Sequence, residues 1–371
     1  PDGEHLIFWA QGGIHKLNVE TLDIEEIPFT AEMNHDIAEA VQHTFDPAPD
    51  TFTAQAIRHA VTSPDGETLV FNAAGYLYKK ELPNGTLERL TDEENFEFEP
   101  AFSPDGNLLA YVTWDDGELG KIKTLRMDRR NAQPQTITDV KGIYREPSFS
   151  PDGETLVFRR ESGNNHQGYA YTQNAGIYTM PVSGGEMTMI RDGGSTPRFN
   201  ASGDRIYYQA YTNFRSVNLN GENEKEHFTS EYAINFTPSP DDKWIAFTEL
   251  YKVYIAPMPK TGSELNLHAN TKSFPVTHVA RDAGYNLQWS ADGERLNWTL
   301  GDTYYSIELE EAFDFLSSDS DEELPLDPND GISIGLELET DKPSGFIAFT
   351  NAHIITMNGD EVIENGTILI E

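Results

Sequence analysis

Phe149-Ser150-Pro151-Asp152-Gly153-Glu154-Thr155-Leu156-Val157-Phe158 reads as strand, tight turn, strand. Phe149 closes one apolar run and Pro151 presets φ for a turn. Asp152 can hydrogen-bond its own backbone, Gly153 takes positive φ, and Leu156, Val157 and Phe158 begin a buried strand. Versions of this stretch return along the whole chain. The residue in the Asp position is Asp2, Asp65, Asp105, Asp152, Ser202, Asp241 and Asp292 in turn, at intervals of 63, 40, 47, 50, 39 and 51 residues. Those intervals approach the roughly 40–50 residues of a four-stranded propeller blade. The fifth and sixth copies are degraded, to Ala201-Ser202-Gly203 and Pro240-Asp241-Asp242, yet strands follow at 205–209 and 243–248.

The first repeat offers strands at 5–10, 14–19 and 24–29. Residues 31–54 then break the alternation. Ile37, Ala38, Val41 and Phe45 fall at helical spacing before Pro47 and Pro49, so a partly helical insertion on one face is expected. From Ile57 onward each repeat supplies four strand signals, the last ending in an outer strand at 332–339. Third strands pair an aliphatic residue with tyrosine, as in Leu77-Tyr78, Ile177-Tyr178 and Val253-Tyr254, which reads as core between blades. Isolated blades cannot bury both faces, so the ring must close. The fold expected is all-β, a seven-bladed β-propeller over 1–342, with a six-bladed ring as the alternative.

Composition narrows the function classes. The 371 residues carry 62 Asp plus Glu against 26 Lys plus Arg, a formal net charge of −36. Nucleic acid is excluded as a partner because phosphate binding needs a basic footprint. The acidity reads first as a solvated surface that keeps the chain soluble, with cation binding as the minority alternative. There is no cysteine, hence no disulfide or thiolate metal site. No stretch reaches the roughly 18 apolar residues of a membrane span. Pro1-Asp2-Gly3 reads as the turn of a blade whose preceding strand is missing, so a piece of a longer protein is expected.

The repeat, with Ser-Pro-Asp-Gly, an apolar strand, an aliphatic-Tyr strand and a closing apolar residue plus Thr (Leu90-Thr91, Phe228-Thr229, Val276-Thr277), resembles the TolB-like propeller repeat. That repeat is also found in the tricorn protease and the prolyl oligopeptidase family. The resemblance implies the fold and leaves the activity open, since such propellers bind, gate and scaffold.

The tail differs. Phe346 to Met357 reads as one long strand, Asn358-Gly359 as a hairpin turn, Val362-Ile363 as a short strand, and Asn365-Gly366 as a second turn into 367–370, a three-stranded meander. Thr350-Asn351-Ala352-His353-Ile354-Ile355-Thr356-Met357 followed by Val362-Ile363-Glu364-Asn365-Gly366-Thr367-Ile368-Leu369-Ile370 resembles the entry to the metal-dependent amidohydrolase superfamily. The resemblance implies that 343–371 begins a truncated amidohydrolase-type β-sandwich, in a periplasmic or secreted parent that hydrolyses C–N bonds. Zinc or another divalent metal would then sit in the missing hydrolase domain, which would be this chain's natural partner. No cofactor is expected in the chain itself. None of its histidines stands in a His-x-His or His-Glu-x-x-His pattern, no Gly-x-Ser-x-Gly elbow is present, and the acidic run Ser317 to Glu323 lacks calcium-loop spacing.

What remains is the propeller axis. Residues just before the Pro or Phe of each innermost strand sit near the channel mouth: Arg58, His59, Glu97, Glu99, Tyr144, Arg145, Glu146, Arg198, Tyr285 and Asn286. Charges of both signs converge there. They either pair among themselves or form a polar funnel for a small charged substrate or a peptide. Two functional classes stand: the noncatalytic propeller of an amidohydrolase-related parent, gating, docking or binding, or a TolB-like interaction module, including the propeller of a peptidase.

Overall fold

The Ser150 turn is built by side chains that imitate a strand ladder. In the computed structural model, Ser150 Oγ donates to Asp152 Oδ1 and accepts the Thr155 N–H at 2.9 Å. Asp152 Oδ1 accepts the Glu154 N–H at 3.0 Å, and Gly153 sits at φ 73°. Ser63, Ser103 and Ser290 repeat this arrangement. The degraded copies keep the geometry with other letters. Asp242 takes the left-handed position at φ 58°. In the fifth copy Asn200 replaces the serine and accepts the Arg205 N–H, while Asp204, rather than Ser202, supplies the carboxylate.

The structure describes residues 3–34, 45–46, 49–163, 174–313, 325–326, 330–342 and 344–371. The chain divides into two compact units, 1–49 and 50–371. In the first unit, His5–Ala10, Gly13–Asn18 and Ile24–Ile27 form a three-stranded antiparallel meander. Most of the helical spacing noted in 31–54, and all of the acidic run, lie outside the described residues. At its end, Thr51–Thr53 is a strand paired with Glu337–Glu339.

The second unit holds six sheets of propeller type. Blade one comprises Arg58–Thr62, Thr68–Ala73, Tyr76–Glu81 and Leu87–Arg89. Blade two comprises Phe96–Phe102, Leu108–Trp114, Lys121–Arg126 and Gln135–Thr136, and blade three Ile143–Phe149, Thr155–Glu161, Gly176–Pro181 and Thr188–Arg191. Blade four comprises Ser195–Phe199, Arg205–Ala210, Asn213–Asn218 and Lys225–Thr229, extended by Leu265–Asn266 lying parallel to its edge. Blade five comprises Ala233–Pro238, Trp244–Glu249, Lys252–Pro257 and Thr277–Ala280, and blade six Tyr285–Trp289, Arg295–Leu300, Thr303–Glu308 and Ile332–Ser333.

The seven-bladed expectation gives way to its six-bladed alternative for the described residues. Blade six fastens directly onto blade one, leaving no opening for a further sheet between them. Asn286 Oδ1 accepts the His59 N–H at 3.0 Å, Gln288 Nε2 donates to Thr62 O at 3.0 Å, and the Thr62 and Tyr304 hydroxyls meet at 3.2 Å. The outer strand expected over 332–339 also divides in two. Ile332–Ser333 joins blade six, and Glu337–Glu339 reaches back to Thr51–Thr53.

The core lies between blades. Second and third strands place aromatic rings opposite one another in register, with centroids 6.0 Å apart for Phe71–Tyr78, 6.1 Å for Phe158–Tyr178, 5.4 Å for Phe247–Tyr254 and 5.5 Å for Trp298–Tyr305. Stacked pairs of this kind bury large areas at little cost in side-chain entropy.

The tail is a two-stranded hairpin, Ile347–Ile355 with Val362–Ile370, not a three-stranded meander. Asn365-Gly366 makes no turn. Asn365, at φ 55°, bulges within a continuous strand, and a bulge at Asn351, at φ 57°, cancels the register shift from the other strand. Both faces of the hairpin are open: Phe349, Ile355, Val362, Ile363, Ile368 and Ile370 are all exposed.

A central cavity ringed by left-handed residues

Each innermost strand contains one extra residue, and that residue adopts a left-handed conformation. They are His59, Glu99, Glu146, Thr196, Asn235 and Asn286, with φ between 49° and 56°. The pairing with the second strand slips at the same place in every blade, between Arg58 and Val61 in blade one and between Arg145 and Ser148 in blade three, for example. Such a bulge re-aims a side chain and ends the simple alternation of faces. Repeated six times, it makes a polar ring at one end of the innermost strands.

The ring is stitched from blade to blade. Asn286 Oδ1 receives the His59 N–H, Glu99 Oε2 receives the Glu146 N–H, and Glu146 Oε2 receives the Thr196 N–H at 2.7 Å. In each case one left-handed residue's side chain caps the left-handed backbone of the next blade. Arginines saturate the carboxylates further. Arg145 Nε lies 2.7 Å from Glu99 Oε1 and its Nη1 3.2 Å from Glu161. Arg159 binds Glu146 at 3.0 Å and Glu161 at 2.9 Å. Asn286 and Asn235 lean instead on Thr299 and Thr248 of their own second strands.

These side chains border a cavity of about 770 Å³ lined by all six blades. Burial raises the pKa of Glu99 although Arg145 opposes the shift. Burial, helped by Arg145 and Arg58, lowers His59 to about 4, so its imidazole is neutral at pH 7. Burial also lowers Arg198 from the ordinary arginine value. The far end of the cavity is a collar of turn prolines, Pro64, Pro104, Pro151 and Pro240.

Of the ten residues singled out from sequence, His59, Glu99, Arg145, Glu146, Arg198, Tyr285 and Asn286 line the cavity. Three are placed elsewhere. Glu97 is buried between blades one and two, where it accepts the Leu77 N–H and the Thr91 hydroxyl. Tyr144 is core, its hydroxyl donating to Val140 O, and Arg58 is exposed outside the cavity wall. Arg159 and Glu161, which complete the ionic lattice, were missed because they stand on a second strand. Asn235 and Thr196 were also missed, although they hold the same left-handed position as Asn286. Their signal is positional, two residues before the channel-facing Thr237 and Arg198. Among the described residues no group of three or more His, Asp or Glu is placed to hold a metal ion.

The TolB beta propeller domain model matches residues 55–253, more than half of the chain. This chain belongs to the TolB beta propeller domain family. Among solved structures, a TolB-type protein from Agrobacterium tumefaciens matches at 19% identity and a TM-score of 0.51, over 69% of this chain and 91% of that one. TolB from Acinetobacter baumannii matches at 16% identity and 0.48, over 82% and 76%. No curated protein matches the chain in sequence. At such identities the likeness establishes the TolB-type propeller fold alone.

Proposed function

We propose that this TolB-type propeller is a binding module, with its ligand seated in the axial cavity. The observation that carries this reading is the cavity itself: about 770 Å³, bordered by every blade, polar at one end and proline-lined at the other. Ligand sites of small molecules and chain ends span roughly 300–1,000 Å³ and combine apolar walls with a few placed polar groups. The ionic lattice of Glu99, Arg145, Glu146, Arg159 and Glu161 is internally satisfied, so it serves as a rigid floor.

In the fuller form of the reading, the propeller is the noncatalytic part of an amidohydrolase-related parent and docks or gates its hydrolase domain. The motif resemblance of 350–370 supports this, and so does the hairpin there, whose apolar side chains are exposed on both faces. A periplasmic or secreted setting accompanies it. Among the described residues no helix is long and apolar enough to cross a membrane.

Thermal-shift and ligand-observed NMR screening of the chain against a small-molecule fragment set tests the cavity. Hits are expected to be lost on Ser148→Trp, which fills the cavity from its wall. Binding of every hit undiminished by Ser148→Trp rejects the axial site. The hydrolase reading predicts no turnover of N-acyl amino acids, dipeptides or cyclic amides by this chain alone, and hydrolysis dependent on divalent metal once the hydrolase domain is joined to it.

A further inference from the structure

Just past the bulge, each innermost strand sends one residue toward the axis at the same register: Val61, Ala101, Ser148, Arg198, Thr237 and Gln288. Five of these are neutral. Arg198 is the single charged member of the layer, and it has no hydrogen-bond or ion-pair partner among the described residues. The carboxylate whose charge reaches it, Glu146, already has both oxygens engaged, by Arg159 and by the Thr196 N–H. The other arginines of the floor, Arg145 and Arg159, are each paired twice. Arg198 is half-buried in the cavity wall, and an anion bound there would give its guanidinium the strong charge-assisted hydrogen bonds that no side chain supplies among the described residues.

Resting on the reading that the axial cavity is the binding site, we propose that the cavity takes a small monocarboxylate, its carboxylate paired with Arg198 and its uncharged body toward the proline collar. One cation sets the charge of the ligand at one. A phosphate dianion would bring a second negative charge that no free cation of this layer meets, inside a chain of net charge −36. The hydroxyl of Ser148, in the same layer, can donate to a carboxylate oxygen that the guanidinium leaves open, whereas the Thr237 hydroxyl already donates to Asn235 O. Pro64, Pro104, Pro151 and Pro240 offer apolar surface to the remainder.

The test is titration of the full chain with hexanoate, hexanamide and hexyl phosphate, three probes sharing one body. Hexanoate is expected to bind at least tenfold more tightly than hexanamide, and hexyl phosphate no more tightly than hexanoate. Arg198→Gln should abolish the preference for acid over amide, while Arg198→Lys should retain part of it. Equal affinity for hexanoate and hexanamide on the unaltered chain overturns the proposal without any variant, as does tighter binding of hexyl phosphate or a preference that survives Arg198→Gln. Binding of hexanamide as tight as hexanoate, lost on Ser148→Trp, removes the carboxylate assignment and keeps the cavity. No binding of any probe, or binding indifferent to Ser148→Trp, removes both.

Discussion

Glu97 and Glu99 stand two apart on one strand, which in a regular strand puts both side chains on one face. The left-handed bulge at Glu99 breaks that period. Glu99 reaches the cavity, whereas Glu97, with 0% exposure, is sealed between blades and receives the Leu77 N–H and the Thr91 hydroxyl. Glu97→Ala is therefore expected to cost about 3 kcal/mol, measured by denaturant unfolding, because it strands a buried amide. Glu97→Gln keeps an acceptor and should cost less. Burial raises the Glu97 pKa from 4.5, so the fold favours its neutral form, and ionisation weakens the fold as pH rises above that value. The stability difference should accordingly move in favour of Glu97→Gln as pH increases from 4.5.

His59 works in the opposite direction. Its imidazole is lowered from 6.5 to about 4, so it stays neutral in the fold while the unfolded chain takes up a proton. Its contribution is complete above pH 6.5 and is lost as pH falls toward 4. In His59→Gln that part of the acid sensitivity should vanish, giving a shallower loss of melting temperature between pH 6.5 and 4. An unchanged slope would show that the histidine is not neutral in the fold. Sequence alone marked both residues as polar groups near the axis. Their environments depend on neighbouring blades, which no local pattern encodes.

At the scale of elements, the turns were legible and the bulges were not. Ser-Pro-Asp-Gly specifies its own hydrogen bonds within five residues, which is why even the degraded copies at Asn200 and Ser239 fold alike. The bulge has no fixed letter: His, Glu, Glu, Thr, Asn and Asn occupy it. Asparagine suits the left-handed region and β-branched threonine does not. Thr196, at φ 49°, uses only its backbone N–H for the stitch to Glu146. Thr196→Asn is expected to raise stability by about 0.5–1 kcal/mol, read as an upward shift in the denaturation midpoint with unchanged slope. The same residue preference misleads in the tail, where Asn365-Gly366 reads as a turn. It bulges instead, because the bulge at Asn351 restores the register and lets one long strand continue.

For the propeller unit, closure depends on joining its two ends. Thr51–Thr53 pairs with Glu337–Glu339, Ala54 N–H donates to Leu336 O at 2.8 Å, and Thr340 N–H donates to Asp50 O at 3.0 Å. Ile334 and Leu336 are buried with Ile57 and with Leu69 and Phe71 of blade one. Leu336→Ala is expected to cost about 2–4 kcal/mol. Hydrogen exchange should accelerate first at the 51–54 and 334–340 amides, before the inner blades. Uniform acceleration would show that closure is not a separate weak point of the ring.

From its sequence this protein had its repeat length, its turn chemistry, its all-β class and most of the polar residues near the axis. Those features are written in hydrogen bonds and side-chain alternation between residues a few positions apart. The tertiary structure alone decided the rest. Whether six or seven repeats close depends on Asn286 meeting His59 and Gln288 meeting Thr62, pairs 227 and 226 positions apart. Which arginines are paired and which is left open depends on second strands lying against neighbouring bulges. Arg198 is distinguished from Arg145 and Arg159 by having no ion-pair partner among the described residues, a property of the ring and not of any stretch of chain.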